Sequence, residues 1–145
     1  MAMSAMTRHF MIRFRDCQSG AVAVEFMLIA PMLLALMFGT VTVGYFMALS
    51  HSVQQLASGA ARASVAGLDT AERQSLAETY LAQSGTRYPL LVAEDVQPAV
   101  SFESGASAGI TVDIVYSIDG SILDIANSFL GLSIGNITGS AYLAY

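Results

Sequence analysis

The chain has 145 residues, 54% of them hydrophobic and only 12% charged, with a mean hydropathy of +0.59. Six Arg and no Lys stand against six Asp and five Glu, a net charge of −5. This length suits one ordinary domain, the composition excludes a disordered chain, and the acidic balance leaves no basic stripe for nucleic acid. The single cysteine, Cys17, excludes an intramolecular disulfide and any multi-cysteine metal site.

The first twenty residues form a short basic leader, with Arg8, Arg13 and Arg15 against Asp16. From Phe26 to Leu49 the sequence carries no charge. As a helix that stretch is about 36 Å long, enough to cross a hydrocarbon core of ~30 Å. Residues 50–145 hold three Arg and nine acidic groups. Basic flanks stay cytoplasmic, so the amino terminus is expected inside and the carboxy-terminal part translocated. A cleaved secretory signal fits less well, although Ala48-Leu49-Ser50 resembles a cleavage site. Its apolar region should run for about 7–15 residues, and it should not contain Glu25 at its head and Pro31 within. Cys17 precedes the apolar run, whereas a lipidated cysteine would follow it.

Beyond Ser50 the helix is expected to continue to Val65, with Val53, Leu56, Ala57, Ala60, Ala61 and Ser64 on one face and Gly67 as its left-handed stop. Asp69 and Glu72 form a capping pair for a second helix to about Ser84, with Leu76, Tyr80 and Leu81 buried and Gly85 ending it. Val96, Pro98, Val100 and Phe102 alternate as a strand that Pro98 confines to a sheet edge. Residues 104–107 read as a turn. Ile110, Val112, Ile114, Tyr116 and Ile118 mark a half-buried strand, and Asp119-Gly120 a turn. Ser121 and Asp124 are set to cap a short helix in which Ile122, Ile125, Ala126 and Phe129 have helical spacing. A last strand is expected between Ile134 and Tyr145, with Ile137, Ala141, Leu143 and Tyr145 inward. The fold class is α+β: a leader at 1–20, a transmembrane helix at 21–49, its continuation at 50–66 and a small helix-plus-antiparallel-sheet domain at 67–145.

The chemistry is concentrated where the apolar run begins. An ionised carboxylate near hydrocarbon costs several kcal/mol unless it is paired or interfacial. A cut after Gly20 would free an ammonium at Ala21, about one helical turn before Glu25. In an assembly of parallel helices the glutamate of one subunit could then neutralise the amine of its neighbour. Thr40, Gly44 and Ala48 recur every four residues as a small-residue stripe, and Pro31 removes one helical hydrogen bond, with a kink or local loosening expected. His51 is an isolated histidine at the membrane exit. The spacings of Asp113, Asp119 and Asp124 do not form an EF-hand loop. No phosphate loop, HExxH or nucleophile elbow is present, so neither catalysis nor a cofactor or metal site is expected.

The stretch Gly20-Ala21-Val22-Ala23-Val24-Glu25-Phe26 resembles the class III signal of type IV pilins and pseudopilins. With its continuation through Leu28, Pro31, Leu33, Leu34, Phe38 and Gly39, it resembles the amino-terminal block of TadE-like minor pseudopilins of the tight-adherence (Flp) pilus system. Gln55 to Arg62 is similar to a later Ala-Arg-x-Gly-Ala-Arg segment of that family, with Ala57 where the first Arg stands. The resemblance implies a minor pseudopilin that takes part in pilus assembly, anchored in the bacterial inner membrane with its carboxy-terminal domain periplasmic. It implies processing between Gly20 and Ala21 by a prepilin peptidase, and registration through Glu25 and Phe26. The implied partners are membrane lipid, other minor pseudopilins, the major Flp pilin, the platform proteins and the assembly ATPase, in a system serving adherence and biofilm formation. The alternative is an uncleaved, single-pass anchor carrying a periplasmic binding or adaptor module.

Overall fold

The computed structural model describes residues 18–103 and 108–145. The basic leader up to Cys17 and the expected turn at 104–107 lie outside the described residues. Two compact units divide the chain, residues 1–39 and 40–145. The elements in order are helix α1 (Gln18–Ser64), helix α2 (Thr70–Ala82), the single turn α3 (Ser84–Arg87), a 3₁₀ turn (Ala93–Asp95), strands β1 (Val96–Glu103) and β2 (Gly109–Tyr116), helix α4 (Ile122–Leu130) and strand β3 (Ile137–Ala144). The class is α+β: a long apolar amino-terminal helix, then a small domain of helices and antiparallel sheet.

Between Gly20 and Gly39, α1 carries an apolar surface that is largely exposed, including Phe26, Leu28, Met32 and Leu36. From Leu49 onward one stripe becomes the floor of the core. Leu49, Val53, Leu56, Ala57, Ala60, Ala61 and Ser64 are at most 2% exposed. The spacing of three and four that marks this face in the sequence is the spacing that a helix laid on a sheet requires. The Ser64 hydroxyl is satisfied within the helix, donating to the Ala61 carbonyl at 2.7 Å.

The sheet is fully antiparallel in the order β1-β2-β3. β2 is central because Ile110, Val112, Ile114 and Tyr116 on one face are all buried, whereas Pro98 places β1 at an edge. Val96 pairs with Tyr116, and Tyr116 with Ile137, so these three residues share one end of the sheet.

Strand β3 docks against α1, and glycine permits it. A Cβ on Gly139 would come within 2.9 Å of Val53 Cγ1 and 3.1 Å of the Val53 backbone. Beside it, the Gln54 side chain behaves as a short strand. Its Nε2 donates to the Ser140 carbonyl at 2.7 Å and its Oε1 accepts the Ser140 N–H at 3.3 Å. Farther along, the Arg73 guanidinium stacks 3.6 Å from the Tyr145 ring centre and donates through Nε to the Gly67 carbonyl, just past the end of α1. β3 therefore runs in the same direction as α1.

Several local expectations are corrected. Gly67 does not adopt a left-handed conformation; its role is close approach, because a Cβ there would lie 2.7 Å from the Arg73 backbone nitrogen. α2 ends at Ala82, and Gly85 sits inside α3 rather than stopping the helix. The capping pair forms as expected. Asp69 Oδ1 accepts the Glu72 N–H and Glu72 Oε2 accepts the Leu68 N–H, both at 2.8 Å. Ala77 and Leu81 are the buried residues of α2, with Leu76 and Tyr80 half-buried. In α4 the buried residues are Leu123 and Ala126, while Ile122, Ile125 and Phe129 are exposed. Ser121 caps that helix through the Leu123 N–H, Asp124 accepts the Gly120 N–H, and Gly131 closes it in the left-handed region at φ 65°. Tyr145 is exposed, held by Arg73 rather than turned inward.

The contact at Gly139 yields a direct test. Gly139→Val should destabilise the fold by about 1–3 kcal/mol, because neither the Val53 side chain nor its backbone has room to yield. Gly135→Ala, with nothing within 4 Å of the added carbon, should stay within roughly ±0.5 kcal/mol. Paired urea melts of the two variants measure the difference.

Candidate functional site

The residues singled out for processing and assembly all lie on α1. Gly20, Ala21, Glu25 and Phe26 are exposed along its first turns, Phe26 to 68%. Ala21 and Glu25 are four residues apart in one continuous helix, a rise of about 6 Å, so both project from the same side. Pro31 lies within the helix, which continues as helix on both sides of it. Its ring removes one N–H donor, and the turn before it keeps a carbonyl that intrahelical bonding leaves unfilled.

The small-residue stripe is split in its surroundings. Thr40 and Gly44 are exposed, with open space around the Gly44 Cα, and Ala48 is half-buried with its carbonyl accepting the Ser52 hydroxyl at 2.9 Å. Thr42, between them, is 1% exposed, and Leu49 is fully buried. Packed chain therefore covers one side of the helix from Thr42 onward. His51 is exposed, and its Nε2 lies 2.6 Å from Gln55 Nε2, one turn along.

The most apolar stretch of α1 has a mean hydropathy of 2.3 with none of it buried. By length and composition α1 can cross a membrane, and this is compatible with a single-pass anchor. Residues 20–62 match the model of the TadE-like protein family. The match begins at Gly20 and ends two residues before α1 does. No curated protein and no solved structure matches the chain.

In the folded unit, polar contacts go to architecture. Asp119 accepts the Ser117 hydroxyl, and Asp124 the Gly120 N–H. No group of three metal-ligating side chains occurs among the described residues. A cleft of about 410 Å³ opens between α2 and β1, bordered by Gln74, Glu78, Leu81, Val96, Pro98 and Val100. Of the residues that line it, Glu78 alone is ionisable.

A tyrosine cluster was not legible in the sequence. Tyr80 lies flat on α1 where Gly59 leaves room, its hydroxyl is 3.3 Å from that of Tyr88, and Arg87 stacks 4.5 Å from its ring centre. The only signal was a glycine inside a helical pattern, which costs about 1 kcal/mol relative to alanine and calls for a packing reason. Burial, and then the hydrogen bond with Tyr80, push the Tyr88 phenol up to about 12. Burial also pushes Tyr116 up, against the Val92 N–H that donates to its oxygen, with nearby Asp95 and Tyr45 adding to the upward push.

A tyrosine that holds its proton longer when folded contributes stability below its unfolded pKa of about 10, and that contribution fades as the pH approaches 12. Resistance to urea should therefore fall between about pH 10 and 12, and fall less in Tyr88→Phe. Phenolate absorbance should lose one late-titrating tyrosine in that variant.

Proposed function

We propose that the chain is a minor pseudopilin of a tight-adherence pilus, anchored in the bacterial inner membrane and processed after Gly20 by a prepilin peptidase. One observation carries this reading: a Gly20…Glu25-Phe26 head on an exposed apolar helix, inside the segment that matches the TadE-like family. The basic leader keeps the amino terminus cytoplasmic, where the peptidase cuts the Gly20–Ala21 bond. Gly20 presents no side chain at the cut, and the cut leaves an ammonium on Ala21.

A carboxylate in the apolar phase needs a positive partner, and an ammonium there needs a negative one. Glu25 of one subunit supplies the charge that Ala21 of the next requires, so the pair sets the axial register of neighbouring helices. Thr40, Gly44 and Ala48 allow close helix approach, and Pro31 leaves a carbonyl that a neighbour can engage. The chain performs no chemistry itself and needs no cofactor; it is a substrate first and a building part second. Its partners are the peptidase, other minor pseudopilins and the major Flp pilin, with the platform proteins and assembly ATPase driving the process. Adherence and biofilm formation follow from the pilus rather than from this subunit alone.

Intact mass and amino-terminal sequencing of the membrane-bound chain, with and without the cognate peptidase, test the proposal. The expected product begins at Ala21, depends on the peptidase, and disappears in Gly20→Val. A chain that keeps residues 1–20 in both conditions is the uncleaved adaptor instead. Glu25→Gln should still be cut, but it leaves the new ammonium unpaired. Its association with partner pilins should weaken by roughly 3 kcal/mol, about a hundredfold. Quantitative co-isolation from membranes reads that loss.

A further inference from the structure

The two edges of the sheet are finished differently. At β3 the outward N–H and carbonyl of Ser140 are taken by the Gln54 amide, at 3.3 and 2.7 Å. Among the described residues no side chain does the same for β1.

The direction of the backbone groups on β1 follows from one bond. The Ser117 N–H donates to the Asp95 carbonyl at 3.0 Å, so odd-numbered residues along β2 turn their backbone toward β1. Direction alternates along a strand, so Gln97, Ala99, Ser101 and Glu103 complete the ladder with β2. Val96, Pro98, Val100 and Phe102 turn their groups outward. The Val96 N–H is taken by the Ala93 carbonyl, and Pro98 has none to offer. The edge therefore presents two N–H donors, those of Val100 and Phe102, beside a row of carbonyls. Pro98 shortens this edge without closing it.

The cleft between α2 and β1 borders the same residues. Val96, Pro98 and Val100 line one side of it, and Gln74, Glu78 and Leu81 the other. A strand laid beside β1 sends alternate side chains toward α2, into this space of about 410 Å³. Glu78 is the ionisable group there. Its Oε1 accepts from Gln74 Nε2 at 2.8 Å, and among the described residues no basic side chain pairs with it. A carboxylate beside apolar walls is complemented by a Lys or Arg on the incoming strand. This chain has no Lys, and its Arg residues beyond the leader, Arg62, Arg73 and Arg87, all lie on helices. A second copy pairing one of its own strands here would bring no positive group.

We infer that the outer edge of β1 and the cleft beside it form a docking site for an extended segment of another polypeptide. The segment adds as a fourth, antiparallel strand and sets a Lys or Arg against Glu78. An apolar residue stands two positions to either side of the basic one, the spacing that keeps all three side chains in the cleft. Antiparallel addition continues the pattern of the sheet and exchanges both hydrogen bonds with each of Val100 and Phe102. The site lies wholly within the folded unit and is the same whether or not Gly20 is cut.

The probe is a capped, fluorescent heptapeptide, Thr-Val-Thr-Lys-Thr-Val-Thr, titrated against the full chain in detergent micelles and followed by anisotropy. It should bind at least about tenfold more tightly than the same peptide with Glu in place of Lys. Glu78→Gln should remove most of that difference. Backbone N-methylation separates strand addition from simple charge attraction. Methyl groups on the Val and Lys nitrogens, which face β1, should abolish binding, whereas methyl groups on the inner Thr nitrogens, which face away, should be tolerated. A Lys preference that survives Glu78→Gln, or equal loss under both methylation patterns, overturns the inference. So does a Kd for the Lys peptide weaker than about 1 mM. A peptide of residues 8–15 that binds more tightly than the probe identifies the chain's own leader as the occupant. A dimer that the probe dissolves identifies a second copy. Either result also overturns the inference.

Discussion

The domain depends on one close approach, that of β3 to α1 at Gly139 and Val53. At most helix–sheet contacts side chains keep the two backbones apart. Here a missing Cβ lets the strand sit on the helix backbone, and the Gln54 amide takes up the N–H and C=O of the next residue. This arrangement answers two needs together. It fills the core at its narrowest place, and it occupies part of an edge that β3 would otherwise offer to another chain.

Once β3 is fixed, the remainder follows in order. Its register with β2 places Ile110, Val112 and Ile114 over the Leu56-Ala57-Ala60 face, and β1 closes the outer side. Alanine predominates on that face of α1 because the sheet lies close, and Leu49 and Leu56 provide bulk where there is more space. Ala57 is instructive. It stands where the resembled family segment carries arginine, and it is fully buried. A guanidinium could not occupy that position without a partner and several hydrogen bonds. The match to the family thus covers a helix that serves two environments, apolar and exposed before residue 40, apolar and covered along one side after it.

Much of this was legible in the sequence because it rests on periodicity. The buried face from Val53 to Ser64, the Asp69–Glu72 cap, the edge position of Pro98 and the central strand 110–116 each follow from spacing or from one residue's backbone chemistry. The glycine and amide contacts were not legible, since Gly59, Gly139, Gln54 and Asn127 act on partners between 7 and 86 residues away. α4 was legible as a capped helix, but not the side of it that faces the core. Its apolar residues share one broad arc opposite Asp124, Asn127 and Ser128, and the core takes only the part holding Leu123 and Ala126, leaving Ile122 and Ile125 outside. For the candidate site, Gly20, Glu25 and Phe26 stand out because a charge at the head of a long apolar run is costly without a partner, and all three are exposed on the first turns of α1.

The exposed side of α4 leads to the last step. A soluble domain with so much apolar composition would turn the α4 surface inward or replace Ile125 with a polar residue, since nothing in the core requires it there. The high hydropathy of the chain has two sources, the exposed apolar stretch of α1 before residue 40 and the apolar side of α4 left outside the core. α1 also organises the folded unit. Through Gly139 and Gln54 it sets the direction of β3, and through β3 the end of the folded unit at which α4 lies.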